Sequence, residues 1–483
     1  MLLLICGLTP LILGGALPFL KIRQRRSRMI YVVAGTLLTS LLCAVLIFSE
    51  KEHTLELFRV TDLLTCRLHL DGAGKVFLAV AALLWPLAAL YATEYMRHEK
   101  REGNFFSWYI MTYGAAILFS AAANLFTLYI FYELLTLITL PLVQHERDKA
   151  SIRATRRYML TLIGGAALGF IALIGLSFFG AGDFIPGGKE IAGGSTWVLW
   201  LCMLGFLGFG AKAAVFPLSR WLPSASVAPT PVTALLHAVA VVNAGVFAVT
   251  RLLYYTVSPA LLQGTWVQST MMILSMGTIL MGSVMAVREQ HLKKRLAWST
   301  VSNLSYMLFG LSMLTEKGMA AGLGHMVFHG LMKIILFFCA GAILVQSGRT
   351  QVRKMHGMGR KMPLTFGAYL LAGASLVGVP PLPGFISKNY LETEAFSLGG
   401  ALPIAGAVIL LMSSVLTAIY IFTVAFPAFF MRLNPADGEG KFQDPGAAMK
   451  VTFVVLCALL IAAGIWGGDV IRYLNGIAGG ILS

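Results

Sequence analysis

Runs of about 20 apolar residues recur along almost the whole chain, the length a helix needs to cross the hydrocarbon core of a bilayer. Fourteen can be read, at roughly 1–20, 30–49, 74–95, 105–122, 125–143, 158–180, 197–217, 231–254, 269–287, 296–314, 319–346, 363–386, 401–431 and 450–468. No soluble class accommodates 483 residues of which 58% are hydrophobic and 12% charged. The expected fold is therefore an all-α polytopic membrane protein. Its longest polar stretches, about 50–73 and 433–449, are too short to bury a core of their own. Residues 182–196 read as a glycine-rich outer loop, and 472–483, too short to span, as a segment at the outer surface.

The formal charge of +16 invites a nucleic-acid reading, but its distribution argues for topology instead. If the chain starts outside and alternates, the cytoplasmic loops collect 26 of the 37 lysines and arginines, against nine outside. Clusters at 21–28, 147–157, 288–295 (Lys293 among them) and 349–361 count as cytoplasmic, whereas Lys51, Lys75 and Arg251 count as outer. The remaining two, Lys212 and Lys333, fall within spans. This positive-inside bias places the chain in the cytoplasmic (inner) membrane with both termini on the outer side, and leaves no charge for nucleic acid to explain. The six cysteines are scattered without a CxxC pair, so neither a disulfide framework nor an iron–sulfur or zinc site is evident, and no metal or cofactor is expected. The first apolar run has its basic cluster after it, as a first helix does and a cleaved signal peptide does not.

Two spans are interrupted by proline. The seventh reads GFGAKAAVFPLSRWLPSASVAPTP, with Lys212 ahead of Pro217, Pro223, Pro229 and Pro231. The twelfth reads ASLVGVPPLPGFISKNYLE, with Pro380, Pro381 and Pro383 ahead of Lys388. Proline removes a helix N–H and frees carbonyls, which a membrane tolerates only beside protein or a wet cavity. Interrupted helices five spans apart are what inverted-repeat transporters use to build midplane sites. Spans 4–8 (residues 105–256) and 9–13 (257–431) are thus expected to form two inverted five-helix repeats. Residues 1–104 supply three N-terminal spans, and 432–483 the last span and tail.

Glu133, Lys212, His237, His325, His329 and Lys333 all lie inside apolar spans. Placing a charged group there costs roughly 2.5 kcal/mol or more, so such residues read first as functional. A carboxylate in hydrocarbon with a movable ammonium nearby is a proton site whose affinity follows the distance between them, and Glu133 with Lys212 fits that description. The bland alternatives are a packed carboxylate at Glu133 and a lysine at 212 that snorkels to the interface. His325, His329 and Lys333 recur every fourth residue on one helix face, a ladder of about 12 Å that can pass charge along part of the membrane. HxxxH also fits a metal, but no third ligand accompanies it. His237 either relays protons or hydrogen-bonds across helices. No nucleotide loop or nucleophile constellation is present, so any redox chemistry would belong to partner subunits.

KAAVFPLSRWLPSASVAPTPVTALLHAVAVVNAGVFAVTR, KKRLAWSTVSNLSYM, HMVFHGLMKIILFFCAGAIL and MPLTFGAYLLAGASLVGVPPLPGFISK, with LDGAGK and YATEYM before them, resemble the antiporter-like membrane subunits. Respiratory complex I, membrane-bound hydrogenases and Mrp-type cation/proton antiporters share these subunits. The resemblance implies a controlling pair at Glu133 and Lys212, a relay at His237, His325, His329 and Lys333, and an exit residue at Lys388. It also implies other membrane subunits as partners, joined by soluble redox subunits, with lipid around them and protons, or Na⁺, as the transported ion. The chain departs from the family pattern at Ser219 and Ser226, where relatives carry histidines. It departs again at Asn243, where some carry lysine, and at His291, where an acidic residue is common. The expected function is redox-driven proton translocation through the Glu133–Lys212 pair and the relay. The alternatives are an Mrp-type Na⁺/H⁺ antiporter subunit, the proton-conducting partner of a bicarbonate-uptake system, and a scaffold without conduction.

Overall fold

A computed structural model describes residues 1–49, 54–191, 196–432 and 442–482. Lys51 and Lys441, counted above on opposite sides, lie outside the described residues, as do 192–195 of the glycine-rich loop and most of the 433–449 stretch.

The chain runs through α1 (Leu2–Ala16), α2 (Arg25–Phe48), β1 (Thr54–Thr61), β2 (Leu64–His69), α3 (Gly72–Tyr95), α4 (Glu102–Ser120), α5 (Leu125–Val143) and α6 (Lys149–Phe178). It continues with α7 (Thr196–Gly210), α8 (Trp221–Ala225), α9 (Thr230–Ala238), α10 (Val241–Arg251), α11 (Pro259–Leu262), α12 (Trp266–Arg288) and α13 (Leu292–Ser312). The last elements are α14 (Glu316–Ser347), α15 (Pro363–Val377), α16 (Pro383–Leu398), α17 (Ala401–Phe430), α18 (Ala447–Ile465) and α19 (Gly467–Leu482). Among the described residues nine helical segments are long and apolar enough to cross a membrane, and α1, α7 and α15 are shorter apolar helices. The chain is a multi-pass membrane protein, mostly helical.

Two expectations need correcting. The chain is not purely α-helical: within the polar stretch near 50–73, β1 and β2 pair antiparallel, Thr54 opposite His69 and Thr61 opposite Leu64. The hairpin seats on the α4–α5 turn, where His69 N donates to Ala121 O at 2.7 Å and Ala123 N to Arg67 O at 3.0 Å. The C-terminal surface segment begins earlier than residue 472, as the 16-residue amphipathic helix α19. Its apolar face, with Ile471 and Leu474 buried, packs on α14.

Helix starts follow ordinary capping chemistry. Asn124, Asp148 and Thr315 accept from the backbone N–H three residues on, at 2.8, 2.7 and 3.0 Å, opening α5, α6 and α14. Burial sorts the helices into layers. Leu41, Phe170, Met412 and Val415 on α2, α6 and α17 face outward, as lipid-facing residues do. The 32-residue α14 is the central post, packed against α3, α9, α13, α15, α16, α18 and α19.

Candidate functional site

Three backbone interruptions sit in this core, and each is satisfied locally. α7 stops at Gly210, residues 211–220 run through turns containing Pro217, and α8 resumes at Trp221; Pro223 stands within α8, not in the gap. Helix carbonyls freed there find donors: Tyr132 Oη to Phe209 O at 3.1 Å and Trp221 Nε1 to Ala211 O at 2.8 Å. The second gap, 378–382, holds Pro380 and Pro381 between α15 and α16. Lys388 Nζ donates to Val377 O at 3.2 Å across it, and Gly384 N donates to Ser375 Oγ at 3.2 Å. A third break, at Val239–Ala240 between α9 and α10, begins two residues after His237. Asn243 covers it, donating from Nδ2 to Ala238 O at 2.9 Å.

Lys212, His237 and Lys388 lie beside these breaks, whereas His325, His329 and Lys333 lie on the unbroken α14 and Glu133 on α5. Lys212, His237, His325, His329 and Lys333 are fully buried, and Lys388 nearly so. Lys212 Nζ donates to the Tyr132 carbonyl and sits 3.3 Å from the centre of the Tyr132 ring. Glu133 is the next residue on α5; it is half-buried, and its Oε1 accepts from Thr136 Oγ1 at 3.5 Å. The two side chains interact electrostatically, but no ion pair within 4.0 Å joins them.

On α14 the ladder is wired unevenly. Lys333 Nζ donates to Leu296 O at 3.1 Å and to Ser299 Oγ on α13. His325 uses both ring nitrogens, Nδ1 with Ser387 Oγ at 2.9 Å and Nε2 with Asn303 Oδ1 at 3.1 Å, and it stacks on Tyr306 at 5.4 Å. His329 lies between them, 6.0 Å from the His325 ring, with both nitrogens buried and unpartnered. His237 is likewise unpartnered, its ring 4.6 Å from Phe337. Lys388 completes the row: Nζ donates to Ser414 Oγ at 3.1 Å and lies 5.2 Å from the Tyr306 ring. The Lys333 charge reaches His237 and His329, and the Lys388 charge reaches His325 and Lys333.

Sequence reasoning missed the polar face of α13. Ser299 meets Lys333, Asn303 meets His325, and Tyr306 lies between His325 and Lys388 of α16, while Asn303 Nδ2 donates back to Ser299 O at 2.7 Å. The signal was present in KKRLAWSTVSNLSYM, whose serine, asparagine and tyrosine recur at helical spacing within an apolar run. A hydroxyl cluster lies behind them: Ser283 with Ser302 at 2.9 Å and with Ser413 at 2.6 Å. Two charges assigned to loops are also inside. Arg251 pairs with Asp71 and is 1% exposed, and Lys293 is buried at the start of α13.

Buried groups that can gain and lose protons, separated by hydroxyls and amides, can pass a proton between them; nothing in the row resembles a nucleophile or a cofactor cradle. The sequence profile of a family described as NADH:quinone oxidoreductase/Mrp antiporter, TM, matches residues 122–426. The Na(+)/H(+) antiporter subunit A1 of Staphylococcus aureus strains JH9 and N315 is 30% identical over 430 residues, covering 83% of this chain and 52% of that protein. The chain thus spans about half the length of the curated relatives it matches. Three solved assemblies contain a chain of the same fold. The archaeal membrane-bound sulfane sulfur reductase superposes with a TM-score of 0.86 at 22% identity, covering 99% of this chain and 97% of that one. The Mrp complex from Dietzia sp. DQ12-45-1b gives 0.85 at 20%, covering 100% and 98%. Respiratory complex I from Thermus thermophilus gives 0.84 at 22%, covering 100% of both. The chain belongs to the NADH:quinone oxidoreductase/Mrp antiporter family of membrane subunits.

Proposed function

We propose that the chain is a proton-translocating subunit of a redox-driven membrane assembly of the complex I or hydrogenase kind. It works beside other membrane subunits and beside soluble subunits that carry the electron chemistry. In this reading fourteen helices cross the cytoplasmic membrane with both termini outside, and residues 105–256 and 257–431 are inverted five-helix repeats.

The observation that carries the proposal is the row of ionisable residues from half-buried Glu133 to buried Lys212, His237, His329, Lys333, His325 and Lys388. Idle ionisable groups are rare at such depth, and this row contains seven. Lys212 rests on the carbonyl of Tyr132, one residue from Glu133, so a side-chain rotation would trade carbonyl for carboxylate. A neighbouring subunit that drives this rotation changes the proton affinity of Glu133. The altered charge then biases the proton on His237 and the α14 ladder in turn, with uptake or release at Lys388. Electron chemistry elsewhere would supply the driving force.

The Na(+)/H(+) antiporter naming of the Staphylococcus relatives favours a second reading, a subunit of an Mrp-type antiporter driven by ion gradients alone. Ion flux in everted vesicles holding the whole native assembly, with and without electron donors, separates the two. Donor-dependent proton uptake that is lost in Glu133→Gln and Lys212→Met, with assembly intact, supports the redox pump. Sodium-dependent proton movement without a donor assigns the chain to an antiporter. Wild-type flux in Lys212→Met sinks both.

A further inference from the structure

Lys293 belongs by sequence to a basic cluster at the membrane edge, yet its side chain turns inward. The residue is 7% exposed, and Nζ donates to the carbonyl of Ala228 at 2.8 Å. That carbonyl also accepts from Thr233 Oγ1 at 3.1 Å, so lysine and threonine converge on one oxygen at the start of α9. His237 stands one turn beyond Thr233 on the same helix, buried, with neither ring nitrogen partnered. The α3–α4 and α5–α6 connections line a cavity of about 430 Å³ with Glu99, Lys100, Arg101, His145 and Glu146. Glu146 and Glu99 are the acidic groups whose charge reaches Lys293, and the Lys293 charge in turn reaches His237.

A staple between α13 and the α8–α9 connection would need one donor, and a neutral one would avoid the several kcal/mol that burying an ammonium costs. Lysine brings three N–H donors and a proton it can release when desolvated. We propose that Lys293 is a proton-exchanging residue that joins the Glu99–Glu146 cavity to His237, giving the interior row its access to the basic rim. The inference rests on the proton-translocation reading above. In the inward step the neutral amine of Lys293 takes a proton from the carboxylic acid of Glu146 or Glu99, which becomes carboxylate. The ammonium then passes a proton across the Thr233 hydroxyl to the imidazole of His237, and the amine is restored.

The test uses the same everted vesicles with the whole assembly, comparing Lys293→Met, Lys293→Arg and the double variant Glu99→Gln/Glu146→Gln. Arginine keeps the charge and a donor for Ala228 but does not give up its proton. Uptake should fall by roughly 100-fold in both lysine variants, the low end of what a positioned proton-transfer group supplies. The double glutamine variant, altered only at the Glu99–Glu146 cavity, should lose uptake several-fold while the assembly still forms. Wild-type flux in Lys293→Met, or full rescue in Lys293→Arg, makes the lysine a staple and overturns the inference. If the lysine variants fail to assemble, the double glutamine variant decides, and wild-type flux there overturns it. A wild-type assembly that moves no ions, or full flux in Glu133→Gln, would instead overturn the functional reading on which the inference rests.

Discussion

Arg251 and Asp71, 180 residues apart, meet as a bidentate pair, Nη1 to Oδ2 at 2.5 Å and Nη2 to Oδ1 at 2.6 Å. The guanidinium also lies 4.3 Å from the Tyr255 ring and 4.8 Å from that of Phe247, while Asp71 caps α3 by accepting from Gly74 N at 2.8 Å. The pair therefore ties α10 to the start of α3 beside the hairpin. Its two halves are unequally buried: Arg251 is 1% exposed and the Asp71 side chain 22%. Removing the carboxylate strands a buried cation, whereas removing the cation leaves an anion that water can reach. Asp71→Asn, which keeps the cap, should cost about 3–5 kcal/mol. Arg251→Met should cost less, about 1–3 kcal/mol. The double variant should be no worse than Arg251→Met. Thermal unfolding of the three purified variants in detergent checks the order; equal losses for the two single variants would refute it.

The same pair sets an acid limit. Burial alone pushes the Asp71 carboxyl up, but the Arg251 guanidinium and the Gly74 N–H more than offset this and hold it below its ordinary range. A carboxyl lowered by folding adds stability above its unfolded value, near pH 4, and loses it as pH falls through the folded value. The unfolding temperature of the wild type should therefore drop more steeply below about pH 4 than that of Asp71→Asn. Parallel pH profiles for the two proteins would show that the pair is not the acid-sensitive element.

Much of this architecture was legible in the sequence because its signals are local. Span-length apolar runs mark a membrane chain, Pro217 and Pro380–Pro381 stand in two of the breaks, and a spacing of four puts His325, His329 and Lys333 on one face. What escaped depends on distant partners. No proline or glycine marks the break after His237; it sits where α14 crosses, with Gly330 so close that a Cβ there would lie 2.7 Å from Ala238 O. Arg251 and Lys293 look like loop charges until Asp71 and the Ala228 carbonyl are brought to them. The hairpin did leave a trace, the partial alternation in TLELFRVT, which an all-α reading of the flanking apolar runs passed over.

Gly245 on α10 offers a way to move Lys212 without touching its charge. A Cβ at 245 would fall 2.4 Å from Ala213 N and 2.9 Å from the Lys212 Cβ, so the broken segment must shift to admit it. Gly245→Ala should destabilise by about 1–3 kcal/mol through overpacking, more than the roughly 1 kcal/mol that alanine gains over glycine in a helix. It should also cut ion flux in vesicles, because Lys212 leaves its place beside Tyr132 and Glu133. Gly367→Ala on α15, where a Cβ meets nothing within 4 Å, serves as the control and should leave flux unchanged. Full flux in Gly245→Ala would mean that the position of Lys212 is not critical.

Asn303 is the one amide between His325 and the lysine end of the ladder, touching His325 Nε2 through Oδ1 and Ser299 O through Nδ2. Asn303→Leu keeps the branched outline of the side chain and removes both polar atoms, leaving His325 Nε2 without its partner inside the membrane. The stability cost should be about 1–3 kcal/mol, that of one stranded buried polar group. The effect on flux should be far larger, because the polar group that holds His325 towards the Ser299–Lys333 end of the ladder is lost while every ionisable group stays in place. Asn303→Asp tests the same path from the other side: it restores an acceptor for His325 but adds a negative charge, so it should recover assembly and only part of the flux. If Asn303→Leu runs at the wild-type rate with the assembly intact, protons do not pass between Lys333 and His325 by this route, and His329 becomes the group that must carry them.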